Sequence, residues 1–493
     1  MARFVVSIDQ GTTGTTVLVF DERGKVLGRG YSEFSQHYPR PGWVEHDPEE
    51  IWQVTQRVLR RALAAAKARP RDVAAIGITN QRETTVLWDR KTGRPVHRAI
   101  VWQDRRTADR CTALKAEGAE EWVRVRTGLV LDPYFSATKL EWLLEHSRRA
   151  RARAGRLAFG TIDSWLIWKL SGGQAHVTDF TNASRTLLFD IRRLEWDAEL
   201  LQLFHVPREV LPQPVPSAGV AAVTDKAVFG AEVPIAGVAG DQQAALFGQA
   251  CVRAGMVKNT YGTGCFLLMH TGTQPVASQR GLLTTVACDE RGQAAYAVEG
   301  SIFIAGAAIQ WLRDGLGLIR NAAESEKLAR SVSSNLGVYF VPAFVGLGAP
   351  YWDPNARGAI FGLTRGTERA HVVRAALEAL AYQTRDVVDT MVAESQQTLT
   401  TLRVDGGASA NDFLMQFQAD ILGVAVDRPA LVETTAQGAA FLAGLGIGLW
   451  KPAELERLRR RDRLFRPRMR PEQRETLYQG WRRALAAVRS LAE

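Results

Sequence analysis

Apolar and polar positions follow one plan twice along the chain. Phe4 to Ile8 is an apolar, β-rich run, followed by Asp9-Gln10-Gly11-Thr12-Thr13-Gly14 and a second run from Val17 to Phe20. In the other half, Met256 to Thr260 leads into Tyr261-Gly262-Thr263-Gly264 and then the run Cys265 to Met269. Each copy reads as strand, Gly/Thr turn, strand. Small residues in such a turn let backbone N–H groups and Thr hydroxyls approach an anion closely, as a phosphate cradle requires. An ordinary tight turn uses the same residues. Neither turn completes GxGxxG or a P-loop, so a strand-to-helix nucleotide fingerprint is not indicated. Two such hairpins, one per half, suggest two similar domains holding one nucleotide between them.

Strand-like and helix-like segments alternate through the rest of the chain, an α/β pattern. Ala74 to Ile78 reads as a strand ending in Thr79-Asn80-Gln81-Arg82-Glu83, and Thr84 to Trp88 as another. Ile51 to Ala68 reads as an amphipathic helix with the acidic start Asp47-Pro48-Glu49-Glu50. Ser136 to His146 and His371 to Val392 carry helical patterns, and Val404 runs into Asp405-Gly406-Gly407-Ala408 before a helix beginning near Asn411. Glu472 to Leu491 has helical apolar spacing at Leu477, Trp481, Leu485 and Val488. No low-complexity linker separates the halves. The best boundary lies within Gly240 to Gln249, giving domains at 1–246 and 247–493.

Composition narrows the picture. A chain of 493 residues is too long for one core, and its 46% apolar content can fill two. No apolar stretch is long enough to span a membrane, and no charged-then-apolar leader opens the sequence. The four cysteines show no CxxC or CxxH spacing. A cytoplasmic protein is expected. The net charge of +10 is concentrated between Arg457 and Arg470, which hold eight arginines. These form either a polyanion-binding tail or the solvated face of a C-terminal helix. No aromatic-interleaved basic motif accompanies them, so nucleic acid is not an expected partner.

Longer motifs stand in order along nearly the whole length. They are Pro41-Gly42-Trp43-Val44-Glu45-His46-Asp47-Pro48, Ile78 to Thr85, Tyr134 to His146, Gly240 to Gln249, and Gly358 to Leu363 with His371 and Ala375 to Glu378. Together they resemble the FGGY carbohydrate kinases, within the actin-like ATPase fold, and are most similar to the members that phosphorylate glycerol. The resemblance implies an α/β fold of two actin/hexokinase-like (ribonuclease H-like) domains with an ATP and substrate cleft between them. It also implies ATP and Mg²⁺ as cofactors, glycerol as acceptor, and a homodimer or homotetramer.

Phosphorylating an alcohol needs a group to take the hydroxyl proton, a metal to shield the phosphates, and close alignment. The resemblance assigns the first task to Asp241, in an apolar-flanked Gly-Asp-Gln segment at the domain junction. By itself, an Asp after Gly equally reads as the N-cap of a helix over Gln242 to Gln249. A small triol offers little apolar area, so hydrogen bonds must hold it. Arg82 and Glu83, a donor fork beside a carboxylate, suit this, each charged hydrogen bond contributing about 1.5–3 kcal/mol. The alternative is a surface ion pair, weakened because adjacent strand residues face opposite ways.

Tyr134 and Gln242 match further polyol contacts, and Trp102 and Phe266 match apolar walls. For both aromatics core packing is the plain alternative. On the nucleotide side, Thr12, Thr13 and Gly14 match the first phosphate turn, and Thr263 and Gly264 the second. Gly306, Gln310, Gly407, Ala408 and Asn411 match positions near the adenosine and α-phosphate. Asp9 matches the carboxylate that holds Mg²⁺ through water, although an Asp at a strand end also caps turns.

Two departures from the family pattern stand out. Thr16 occupies a nucleotide-site position where many of these enzymes carry Arg, so one positive charge is missing unless another basic group substitutes. The segment Asp225 to Glu232 lacks the loop that binds fructose 1,6-bisphosphate in enteric relatives, with Glu232 at its Arg position. Ala227 stands where some Gram-positive relatives carry a phosphorylatable His. Both controls are expected to be absent. Two rivals remain open: a kinase of another polyol or pentulose, and a catalytically weak, nucleotide-switched regulatory protein.

Overall fold

Each Gly/Thr turn closes an antiparallel hairpin at the centre of a larger sheet. In the computed structural model, which describes residues 3–146 and 151–491, the first sheet takes β1 (Phe4–Gln10), β2 (Gly14–Phe20), β3 (Val26–Glu33), β4 (Val73–Asn80), β5 (Ala218–Val223) and β6 (Pro234–Gly240). β1 pairs antiparallel with β2, placing Asp9 opposite Thr16, and β2 pairs antiparallel with β3. On its other side β1 pairs parallel with β4, which pairs parallel with β6, while β5 adds an antiparallel edge.

The second sheet takes β7 (Val257–Tyr261), β8 (Cys265–Gly272), β9 (Leu283–Cys288), β10 (Ala294–Ile302), β11 (Thr401–Asp405), β12 (Ala425–Pro429) and β13 (Arg461–Phe465). β7 pairs antiparallel with β8 and parallel with β11. β8 pairs antiparallel with β10, and β11 parallel with β12. The run β3, β2, β1, β4, β6 therefore has the same order and directions as β10, β8, β7, β11, β12. One topology occurs twice.

Registers place the side chains. Across β7, β8 and β10, Lys258, Leu268 and Glu299 lie side by side, as do Thr260, Phe266 and Ser301. Residues directly opposite share a face, and residues two apart in a strand do too, so these six line one face of the second sheet.

The halves are joined by backbone contact. Helix Thr434–Gly446, from the second half, lies across β1, β4 and β6 and against helix Asp241–Gly248. A Cβ on Gly77 would sit 2.1 Å from the carbonyl oxygen of Ala439, and one on Gly438 1.8 Å from that of Ala244. Only glycine permits this approach. Ala75, Ala236, Ala239 and Ala244 pack here with Ala436, Ala440, Phe441 and Ala443 in one apolar cluster.

Three sequence expectations are corrected. The strand expected from Thr84 runs Val86–Asp89, preceded by a bridge from Thr85 to Ile100, because the chain bends over Gln81 to Thr84 with Glu83 at φ +60°. Arg82 and Glu83 therefore stand beyond their strand, and the opposed-face argument does not apply to them. The arginines of 457–470 do not face solvent from a C-terminal helix, which starts only at Pro471. They are spread over a short helix (Leu455–Arg459), the edge strand β13 and the loop after it, all exposed except Arg459; Arg459 and Arg461 pair with Asp427, Arg463 with Asp412 and Arg457 with Glu454. Half of the basic stretch is spent on the chain's own carboxylates.

Candidate functional site

The turn after β4 and the first turn of helix Asp241–Gly248 meet where two parallel strands, β4 and β6, end side by side. Asp241 is the first helical residue and Gly240 the N-cap, so the helix-capping alternative for Asp241 falls away. Its carboxylate takes the Gln242 backbone N–H at 2.7 Å and remains about a third exposed. A Cβ on Gly240 would lie 2.8 Å from the Arg82 stem, so glycine there lets Arg82 reach Asp241. Arg82 Nε stands 3.1 Å from Asp241 Oδ1 without hydrogen-bond alignment, leaving this buried N–H free for another acceptor.

Arg82 and Glu83 are no surface pair; both are buried. Arg82 donates bidentately to Glu299 at 2.6 and 3.1 Å, and Arg185 donates to Glu83 at 2.6 Å and to Glu299 at 3.1 Å. Two guanidinium groups and two carboxylates thus neutralise one another out of water, the condition under which buried charge is tolerated. Burial works against ionisation of Glu299, but Arg185 and Arg82 hold its pKa down at about 2. Burial raises the pKa of Glu83 despite Arg82 and Arg185.

The aromatic candidates stand around this cluster. Tyr134 Oη accepts from Arg82 at 3.4 Å and meets Trp102 edge-on at 5.5 Å. Both are half-buried rather than core, as is Phe266 on the site face of β8. Trp102 Nε1 donates to Thr12 Oγ1 at 3.0 Å, tying the aromatic wall to the first Gly/Thr turn. Gln242 Nε2 lies 3.3 Å from Asp241 Oδ2.

The nucleotide candidates fall into two groups. In the first turn Thr12 is half-buried, Thr13 exposed, and a Cβ on Gly14 would meet the Ser32 carbonyl oxygen at 2.8 Å. In the second, the carbonyl oxygen of Thr263 accepts from Ala305 and Ala307, and that of Gly262 from Gly306 at 3.0 Å. The start of helix Gly306–Asp314 is thereby fixed against this turn, with Gln310 exposed one turn along. Gly406 (φ +81°) brings the third turn against the Tyr261 backbone, and Gly407 next to it is exposed and unobstructed. Asn411 caps helix Asp412–Leu422 through Leu414 N–H at 3.0 Å, so its carbonyl is already engaged. Asp9 is half-buried opposite Thr16; burial first, then the nearby carboxylates of Asp241 and Glu433, push its pKa up to about 7. On the neighbouring strand β3, Tyr31 stands opposite Thr16, and Arg29, opposite Leu18, pairs with Glu433 at 2.8 Å.

Sequence reasoning missed Arg185, Glu299 and Lys258. Glu299 and Lys258 each leave a signal, a charge inside a strand-like run. Arg185 leaves none. A surface cavity of about 530 Å³ opens elsewhere, between Pro48, Arg94–Arg98 and Lys169, and contains none of the candidate residues.

A repeated sheet, with a Gly/Thr turn from each copy beside one buried acid-base corner, is the architecture of a two-domain phosphotransferase. The chain belongs to the FGGY family of carbohydrate kinases: the family's N-terminal domain matches residues 4–248 and its C-terminal domain residues 257–447. It is 59% identical over 487 residues to glycerol kinase 2 of Thermotoga maritima, covering 98% of each chain. It is 57% identical to the glycerol kinase of Petrotoga mobilis over the full length of both. Among solved structures, Plasmodium falciparum glycerol kinase with ADP superposes with a TM-score of 0.93 at 36% identity, covering 99% of this chain and 98% of that one. Among the described residues no helix is long and apolar enough to cross a membrane.

Proposed function

We propose that this kinase transfers the γ-phosphoryl group of ATP to the terminal hydroxyl of glycerol, giving glycerol 3-phosphate and ADP. The observation that carries the reading is the corner formed by Asp241, Arg82 and Gln242, on a chain whose full-length relatives are glycerol kinases. Asp241, still partly exposed, takes the proton of the attacking hydroxyl. The free Arg82 N–H and the Gln242 amide orient the neighbouring hydroxyls, Glu83 accepts from one of them, and Tyr134, Trp102 and Phe266 wall the carbon chain. Thr12, Thr13, Gly14 and Thr16 on one side and Thr263 and Gly264 on the other hold the phosphates. Gly306, Gln310, Gly407, Ala408 and Asn411 border the adenosine.

The residues fit a divalent cation. Besides its burial, the carboxylates of Asp241 and Glu433 lie close enough to Asp9 to raise its pKa. Among the described residues no group of three or more His, Cys, Asp or Glu is arranged for direct ligation. Asp9 would hold Mg²⁺ through water, in keeping with that ion's reluctance to dehydrate. When bound, Mg²⁺ shields the phosphate charge against the incoming oxygen. Four unpaired, buried cysteines suit a reducing cytoplasm. The assembly is taken as a homodimer or homotetramer, checked by light scattering.

The function is tested by ADP release with MgATP across glycerol, dihydroxyacetone, xylulose, ribulose, erythritol and no acceptor. Turnover with glycerol, and little without acceptor, is expected. Preference for a ketose would overturn the substrate, and silence with every acceptor would overturn the activity.

A further inference from the structure

Lys258 is fully buried on the site face of β7, yet it belongs to neither half of the Arg/Glu cluster. Its ammonium donates to Gln242 Oε1 across the domain junction, to Thr260 Oγ1 at 2.9 Å and to the Phe266 carbonyl oxygen at 3.1 Å. All three donors are used. Thr260 stands one residue before the second Gly/Thr turn segment, and Phe266 two residues after it. Gln242 stands on the other domain, beside Asp241.

An ammonium group carries donors only, so the Gln242 atom facing it must be the carbonyl oxygen. The amide NH₂ is consequently turned to the opposite side, where Nε2 lies 3.3 Å from Asp241 Oδ2. Without Lys258 only the long Asp241 contact would select between the two orientations of the amide. The flipped form would set an acceptor oxygen against the Asp241 carboxylate and repel it. Burial of an ammonium is costly unless it is hydrogen-bonded to strong acceptors, and a buried lysine whose whole donor set is committed in this way holds its neighbours in one arrangement.

We propose that Lys258 is a positioning residue for the phosphoryl acceptor. From the phosphate hairpin of the second domain it fixes the Gln242 amide with its N–H₂ toward Asp241 and the acceptor hydroxyl. Acceptor affinity is thus made dependent on the seating of that hairpin. The inference rests on the proposed phosphotransferase function but not on which polyol is the acceptor.

The test is a double-mutant cycle on the full chain, assayed with whichever acceptor the parent phosphorylates. Lys258→Met and Gln242→Met are each expected to raise the acceptor KM about tenfold or more, the scale of one charge-assisted hydrogen bond, with the ATP KM within about twofold of the parent. Because the two act through one contact, the double variant should be no worse than the worse single variant within about twofold. Lys258→Gln, which retains an N–H donor, should recover part of the acceptor KM. If Lys258→Met does not fold, Lys258→Gln and its combination with Gln242→Met carry the same cycle. Multiplying losses, or a Lys258 defect carried by the ATP KM, would overturn the proposal. A parent with no acceptor-dependent turnover would instead overturn the function on which it rests.

Discussion

At the residue scale, Asp241 and Glu299 separate chemistry from support. Asp241 is partly exposed and only loosely held by Arg82, which suits a group that must accept a proton from outside. Asp241→Asn preserves its size and its place at the helix start. Turnover is expected to fall about 10²- to 10⁴-fold with MgATP and glycerol binding retained, read by steady-state kinetics and calorimetry. A rate near the parent's would remove Asp241 from the role of base. Glu299 is the opposite case, a buried carboxylate held by two guanidinium groups. Glu299→Gln leaves Arg82 and Arg185 under-compensated, so urea unfolding should show a loss of about 3 kcal/mol or more. A loss under about 1 kcal/mol would mean that Glu83 and solvent suffice. Asp241 was legible in the sequence because its motif is continuous. The cluster beneath it was only half legible: Arg185 and Glu299 are 114 residues apart, and no local pattern links a guanidinium in a loop to a carboxylate in a strand.

At the element scale, both hairpins and the long helices were readable because period and turn chemistry are local properties. The helix expected over His371 to Val392 extends over Arg369–Ser395, and that from Glu472 runs Pro471–Ser490. What joins those two helices was not readable. Asp386, buried on the first, accepts from Tyr478 Oη at 2.5 Å and Trp481 Nε1 at 2.8 Å on the second. Burial pushes the Asp386 carboxyl up to about 7 from an ordinary 3.8, against the pull of these donors. As pH rises from about 4 to 7, the unfolded chain releases this proton while the folded chain keeps it, so the folded state loses stability across that window. Asp386→Asn, always neutral, escapes the loss. Its melting temperature should therefore rise relative to the parent's between pH 5 and pH 8; an unchanging gap would sink the assignment. The segment 225–232 forms a short helix, Lys226–Phe229, capped by Asp225 and closed by Gly230 at φ +97°. It presents Glu232 rather than an arginine to an anionic effector. Millimolar fructose 1,6-bisphosphate should leave the rate unchanged, and clear inhibition would contradict this.

At the scale of the whole molecule, the repeated topology gives each half a turn of similar sequence, as the proposed shared nucleotide requires, but duplication alone does not hold the halves in register. That is the task of the seam where helix Thr434–Gly446 lies on the first sheet and on helix Asp241–Gly248. Here backbone meets backbone: a Cβ on Gly438 would stand 1.8 Å from the Ala244 carbonyl oxygen, and one on Gly248 2.1 Å from that of Thr434. In sequence these glycines look like any others. Their requirement comes from a contact between distant segments, so only the folded chain reveals it. Asp241 opens the helix that the seam holds, while Thr434 also donates to Asp405 Oδ2 at 2.7 Å, beside the third turn. The seam therefore bears on the proposed base and on the proposed nucleotide side together. Gly438→Ala must push the two helices apart, because the Ala244 carbonyl cannot yield as a flexible side chain would. Overpacking of this kind costs about 1–3 kcal/mol, so the variant should remain folded at 25 °C with a lowered melting temperature. Its kcat should fall more than tenfold while the pH dependence of the rate stays that of the parent, since alignment changes and the base does not. A variant that melts earlier yet turns over at the parent's rate would show that the seam holds the domains together without aligning the reacting groups.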